Sequence, residues 1–291
     1  MIIKLRQLAV VIIVCLATVP MYAQKIQGVA TYQTKTTIDL SRFNRGGQQM
    51  TEQRKKQIME RMKNFLEKEY TLTFTNEESF YKEEEKLAAP GQGGGWGGGF
   101  TQGGIYKNTA TKAYARENNM MGKTFLVKDT INALAWELVK ESKMIGQYPV
   151  FKAVATRDIE ANMWSRMGRR ARDAQKANAK KTDSTATAQE PEEEEPTTET
   201  ITAWYTPMIP ASHGPDEFGG LPGLILELST NNTTILCTKV VLNPKEEVII
   251  DVPSKGKEVS RAEYVAIVEE KAKEMAERYG RSNRRGGGRR F

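Results

Sequence analysis

The chain has 291 residues, 39% of them hydrophobic and 27% charged, with 43 Lys and Arg against 36 Asp and Glu for a formal charge of +7. It holds one histidine, His213, and two cysteines, Cys15 and Cys237. That scarcity excludes most histidine- and thiolate-based metal chemistry. If Cys15 leaves with a leader, it also excludes an intramolecular disulfide, even in an oxidising compartment.

Residues 1–23 have the three parts of a secretory signal: Lys4 and Arg6, an apolar run over 8–19, and Pro20-Met21-Tyr22-Ala23 before Gln24. The apolar run is about 12 residues, short against the roughly 20 needed to span a bilayer. This favours a leader cleaved after Ala23 over a membrane anchor. Cys15 follows Val14 inside the apolar run rather than a small residue at its end, which argues against lipid attachment. Loss of Lys4 and Arg6 lowers the charge to +5. The expected location is periplasmic or secreted.

Residues 24–280 are read as one domain with low-complexity insertions at 90–104 and 166–200. Residues 26–38 are Thr-rich and weakly alternating, as an opening strand should be. Residues 51–68 switch to helical spacing, with Ile58, Met59, Met62, Phe65 and Leu66 on one side, and predict an amphipathic helix packed on the sheet. Tyr70, Leu72 and Phe74 then alternate with Thr71, Thr73 and Thr75, marking a strand with one apolar face. Phe80-Tyr81-Lys82 is its expected neighbour.

The stretch 90–104 is nearly all Gly, with Trp96 and Phe100 as its large side chains. It lacks the Gly-Lys-Ser/Thr ending and the strand-to-helix context of a phosphate loop, so it reads as a surface loop. Further strands are expected at 105–108, 113–116, 124–128, 134–139 and 148–156, with turns at Asn118-Asn119 and Lys128-Asp129-Thr130. Short strands without intervening helices predict an antiparallel meander rather than βαβ units.

Residues 157–181 are helix-prone and basic, and 182–200 are acidic; together they read as a solvated excursion between two strands. Strands resume at 201–208, 233–242 and 247–252, the second placing Cys237 as a small buried hydrophobe. Ser260 with Glu263 predicts a capping box for a last helix ended by Gly280. Its apolar stripe is Val265, Val268, Ala272, Met275 and Tyr279. Residues 281–291 form a basic Arg/Gly tail, read as disordered.

The most informative segment is Gly214-Pro215-Asp216-Glu217-Phe218-Gly219-Gly220-Leu221-Pro222-Gly223-Leu224-Ile225. Pro222 at the second position and Gly223 at the third predict a type II turn over 221–224 that launches an apolar strand. Leu224, Leu226 and Leu228 are expected on one face of it and Ile225 and Glu227 on the other. The hexapeptide 220–225 resembles the signature of the GLPGLI family, exported proteins of Bacteroidetes-type envelopes with no assigned activity. Trp136, Ile145, Tyr148, Lys152-Ala153 and Ala203-Trp204-Tyr205-Thr206 extend the likeness, together with Gly214-Pro215 and Phe218. The resemblance is specific for a family and silent on mechanism.

The expected fold class is α+β: a curved, half-barrel-like antiparallel sheet with flanking helices. No catalytic constellation, cofactor or metal site is predicted. His213, Asp216 and Glu217 read as solvent-facing turn residues, although a hydrolase using Asp216 or Glu217 is a minor alternative. The leading expectation is a non-enzymatic binding protein for an apolar or envelope ligand or an outer-membrane protein, with Trp136, Tyr148, Trp204, Tyr205 and Phe218 near a groove. The alternative is an assembly factor that reaches the membrane surface through its basic segments, by weak salt-sensitive contact with anionic head groups. No nucleic-acid partner is expected, and the sequence does not set an oligomeric state.

Overall fold

The computed structural model describes residues 26–37, 51–84, 100–158 and 198–286. The expected leader, Trp96, most of the basic and acidic stretches and residues 287–291 lie outside them. The elements in chain order are β1 (Gly28–Thr36), α1 (Glu52–Leu66), β2 (Glu67–Phe74), β3 (Glu78–Glu83), β4 (Phe100–Asn108), β5 (Ala113–Met120) and β6 (Lys123–Thr130). They continue with β7 (Glu137–Ile145), β8 (Tyr148–Asp158), β9 (Thr198–Thr206), β10 (Leu224–Ser229), β11 (Thr233–Leu242), β12 (Lys257–Val259) and α2 (Arg261–Gly286).

All of these strands join one open sheet in the order β12-β6-β5-β4-β3-β2-β1-β11-β10-β9-β8-β7. Strands β1 to β6 form one antiparallel meander and β7 to β11 another, and β1 pairs with β11 to zip the two together. Short β12 alone runs parallel to its neighbour, β6. The protein is therefore β-rich with flanking helices, and the sheet is not a closed barrel.

Alternation decides which side chains meet. Tyr32, Leu72, Phe74, Tyr81, Ile105, Tyr114, Val127, Ala203 and Leu228 come from eight different strands and pack into one buried cluster on the inner face. Tyr264, Ile267 and Val268 of α2 join it. The capping box is present: Glu263 Oε2 accepts from Ser260 N at 2.7 Å, and Glu263 N donates to Ser260 Oγ at 3.2 Å.

The sheet bends around the segment between β9 and β10. Flat strands about 4.8 Å apart would separate the two edges by roughly 50 Å. Yet Trp136, just before edge strand β7, and Arg261, just after edge strand β12, bond to Gly219 and Glu217, two residues apart. Side chains of that length meet one short loop only if both edges curl toward it.

Several local expectations are corrected. Strand β4 begins at Phe100, so residues 100–104 are sheet rather than loop. Asn118-Asn119 and residues 128–130 lie inside β5 and β6. The β5–β6 turn is instead Met121-Gly122, where φ values of 51° and 78° give the type I′ geometry that matches strand twist. Strand β7 starts three residues later than the alternation suggests and runs to Ile145. Residues 247–252 are not a strand; they cross the outer face, where Ile250, like Phe80, packs against the buried cluster of Tyr106, Ala115 and Leu126. Glu117 Oε1 holds this strap by accepting from Ser254 N at 3.1 Å and Lys255 N at 3.0 Å. Finally, α2 continues past Gly280 to Gly286, so residues 281–286 are helix and not tail.

Candidate functional site around the signature segment

The signature segment folds back on itself before entering the sheet. Gly220 N donates to Ser212 O at 3.0 Å, Leu224 N to Ile209 O at 3.0 Å and Ile225 N to His213 O at 3.1 Å. Gly223 has the positive φ that was expected, but at 155° rather than about +80° as in a type II turn, and the closing bond is missing because Leu224 N turns to Ile209 while Gly223 N bonds to Leu221 O at 2.8 Å. Gly223, at φ 155°, lies so close to β9 that a Cβ there would meet Thr206 O at 2.1 Å. Ile209, Ala211, Phe218 and Leu221 point into the core and are buried. A bulge between Ile225 and Glu227 breaks the expected two-faced alternation of β10, and Leu224, Ile225 and Leu226 are all buried.

A buried cation holds this segment from across the sheet. Lys107 on β4, 3% exposed, donates from Nζ to the carbonyl oxygens of Gly214 (3.2 Å), Asp216 (2.8 Å) and Phe218 (2.6 Å). An ammonium has three donors, and all three are used. Burial pushes Lys107 down to about 8, with Asp216 and Glu217 pulling it back up. Trp136 Nε1 adds a bond to Gly219 O at 2.9 Å, Arg261 pairs with Glu217 at 3.0 Å, and the Arg157 guanidinium lies 4.9 Å from the Phe218 ring centroid.

His213 is the clearest departure from the solvent-facing reading. It is 1% exposed, tucked 6.4 Å from the Phe74 ring, and burial with the Lys107 charge pushes it down to about 3. It is therefore a neutral side chain at physiological pH. Asp216 and Glu217 are only partly exposed. Asp216 sits at φ 53°, a left-handed backbone held by the Lys107 bonds; burial raises its carboxyl, with Arg116 first among the groups opposing that rise.

Beside the loop, the inner face of β2, β3 and β5 carries Tyr70, Tyr81, Tyr114, Arg116 and Asn118. Tyr70 and Tyr81 stack at 4.8 Å with 7° between planes. Both hydroxyls are raised, by burial above all, and the field of Asp216 contributes to each. Tyr114 is pushed up to about 12, chiefly by burial, and lies under the Arg261 guanidinium at 4.7 Å. Tyr81 Oη and Asn118 Oδ1 are buried without a hydrogen-bond partner among the described residues.

The aromatics singled out in the sequence do not line one groove. Trp136 and Phe218 meet at the signature loop, the first half-buried and the second buried. Tyr205 is buried 6.2 Å from the Phe151 ring, and Tyr148 is half-buried where β8 begins opposite Ile145. Trp204 alternates to the other face of β9, with Lys143 4.3 Å above its ring and Lys143 in turn 2.6 Å from Glu227. Of the positions that carry the resemblance around the signature, Gly214, Pro215, Phe218, Leu221, Gly223, Leu224 and Ile225 are buried, whereas Gly220 and Pro222 are exposed.

Sequence reading passed over Lys107, Arg116 and Asn118. A signal existed in β5, where Tyr114, Arg116, Asn118 and Met120 share one face and two of the four are polar. Cys237 is buried, and burial pushes its thiol up to about 12. Among the described residues no group of three or more His, Cys, Asp and Glu is placed to hold a metal ion.

Comparison with known proteins adds three findings. No curated protein matches the chain. Among solved structures, PNGF-II in its P21 crystal form is similar at 14% identity with a TM-score of 0.44, over 84% of this chain and 33% of that one. The C2 form gives 13% and 0.44, over 84% and 32%, so this chain spans about a third of the length of either. Residues 136–227, which include the whole signature segment through Ile225, match a family described as a protein of unknown function (Porph_ging).

Proposed function

We propose that this chain is a GLPGLI-type exported protein of the cell envelope that acts by binding rather than by catalysis. Its binding surface is the concave face of a half-barrel-like sheet, and its partner is an envelope ligand or an outer-membrane protein. The observation that carries this reading is the pair of buried polar groups, Tyr81 Oη and Asn118 Oδ1, left without partners among the described residues on the inner face beside the signature loop. A buried polar group left unpaired costs about 1–3 kcal/mol, a cost that a polar ligand reaching this face would remove. The apolar part of the same face is filled by the protein's own Ile209, Phe218 and Leu221. That weights the ligand toward one with a polar portion and away from a purely apolar cargo.

The test is native mass spectrometry on mature protein purified gently from its own envelope, before and after solvent extraction. A discrete extractable adduct, or a protein captured by crosslinking in cells, is the expected result. A bare mass together with no crosslinked partner refutes the reading. The second reading, an assembly factor bound to the membrane surface, is favoured by the continuation of α2 through Arg281, Arg284 and Arg285. It predicts that truncation after Gly280 abolishes flotation with anionic vesicles while the fold survives.

A further inference from the structure

The strap on the outer face roofs a cavity. Strands β3 and β4 pair as far as Tyr81 and Ile105 and then part: Lys82 and Glu83 stay on β2, while β4 from Phe100 to Gln102 stays on β5. Gly103 and Gly104 stand opposite Glu117 in a bulge and bring no side chain to this fork. A Cβ on Gly104 would meet the Phe80 ring at 2.3 Å, and one on Gly103 would meet Glu117 O at 2.6 Å. Residues 251–255, fixed by the two bonds to Glu117 Oε1, pass over the hollow and leave a half-open cavity of about 450 Å³ lined also by Phe80, Lys82 and Glu117. That lies within the roughly 300–1,000 Å³ of small-molecule sites.

The lining carries both signs of charge. Lys82 reaches the cavity from β3, and Asp251 and Lys255 from the strap; all three are exposed, and none forms an ion pair with a described residue. An ion of a single sign meets a like charge here, whereas a molecule with a cation at one end and an anion at the other matches the lining. The Phe80 ring, Val252 and Pro253 supply an apolar wall. The backbone adds a third feature. Beyond Ile105 the β3 side of β4 has no strand partner, an edge of N–H and C=O groups of the kind an extended peptide pairs with. Length sets the size of the ligand: Asp251 and Lys255 are at most about 14 Å apart along an extended chain, and two or three residues at about 3.5 Å each fit within that span.

We infer that the cavity under the strap binds a di- or tripeptide with free termini. The peptide's ammonium pairs with Asp251 and its carboxylate with Lys82 and Lys255. An apolar side chain rests on Phe80 and Val252, and the peptide backbone lies along the released edge of β4. This site is on the opposite face of the sheet from the surface proposed above and does not depend on it.

Titration calorimetry and saturation-transfer NMR on the full mature protein test it. The probes are di- and tripeptides of Ala, Leu and Phe, each also in N-acetylated and C-amidated form, with free Leu, free Phe, inorganic phosphate and sodium decanoate alongside. At least one peptide with free termini should bind, and blocking either terminus should weaken it about tenfold, the equivalent of about 1.4 kcal/mol. Asp251→Asn should weaken the free peptide about tenfold and leave the affinity of its acetylated form unchanged. The pair Lys82→Met and Lys255→Met should weaken the free peptide likewise and leave the amidated form unchanged. The blocked peptides keep the test decisive in the native protein even where a variant loses its cooperative melt. The inference is overturned if no peptide with free termini binds, if blocked peptides bind as tightly as free ones, or if well-folded variants bind the free peptide unchanged. Binding of the amino acids, phosphate or decanoate alone also overturns it. An adduct extracted from the envelope with no peptide binding removes this site and leaves the inner-face reading standing; peptide binding with no adduct and no crosslinked partner does the reverse.

Discussion

Burying His213 should make the fold acid-sensitive in a measurable way. The imidazole, ordinarily near 6.5, is held down to about 3 by burial and by the neighbouring Lys107 charge. The unfolded chain therefore takes up a proton between these values and the folded chain does not, so stability is fully present above 6.5 and is lost as pH falls toward 3. Each pH unit in that window costs about 1.4 kcal/mol, so at pH 4.5 the single group accounts for about 2.7 kcal/mol. Near 2–4 °C per kcal/mol for a domain of this size, that is a shift of about 5–10 °C in Tm. His213→Gln keeps a similar volume and does not titrate. Melts of both proteins by circular dichroism at pH 7.5 and 4.5 isolate the effect as a difference of differences, which removes any packing cost of the substitution. Carboxylates elsewhere titrate in both proteins and cancel to first order. If the two Tm values fall in parallel between these pH values, His213 is not a neutral core residue and the account of the loop's interior is wrong.

Four further outcomes follow from the same geometry. Lys107→Met strands three buried carbonyls at about 1–3 kcal/mol each, offset by about 3 kcal/mol for no longer burying a cation whose pKa falls to about 8. A net loss of about 3 kcal/mol by urea titration is expected, and an equally stable variant contradicts the anchoring role. The same depressed pKa means that wild-type stability rises from pH 8 toward 10.5 relative to Lys107→Met, because there the unfolded chain binds the extra proton. Gly223→Ala places a methyl against the Thr206 carbonyl, 2.1 Å from its oxygen; an overpacking cost of about 1–3 kcal/mol is the floor, and unchanged denaturant midpoints would show that the turn tolerates a side chain. Trp136→Phe removes the bond to Gly219 O at 2.9 Å and should cost about 1 kcal/mol, read as a lower midpoint at constant m-value.

Where sequence rules are local, the chain obeys them. Period-two alternation placed Leu72 and Phe74 in the core, and a Ser and Glu three residues apart marked the start of α2 through a bond pattern that needs no tertiary partner. Rules failed where distant residues decide. Asn118-Asn119 looks like a turn by composition, but pairing with Phe125 and Thr124 keeps it extended and moves the reversal to Met121, a residue with no preference for positive φ. Residues 247–252 are apolar enough for a strand, yet Glu117, more than 130 positions away, fastens the following residues across the outer face instead. Lys107 carries no local sign of burial, because its partners lie 107 to 111 residues further along the chain. His213 and Asp216 sit among glycines and a proline, the composition of a surface turn, and are drawn inward because both sheet edges curl onto that turn. The signature was legible as a chain reversal feeding an apolar strand, whereas its role as the loop that residues beside both sheet edges bond to required the fold.

The central claim is that the signature segment is a buried fastening and not a surface turn. Amide hydrogen exchange on the native protein tests it most directly, read at Gly220, Leu224 and Ile225, whose amides bond to Ser212, Ile209 and His213. If the claim holds, these amides exchange only with global unfolding, as slowly as those of central strand β1, and exchange much faster in Lys107→Met. Exchange in the native protein at the rates of an exposed turn, unaffected by Lys107→Met, would contradict it.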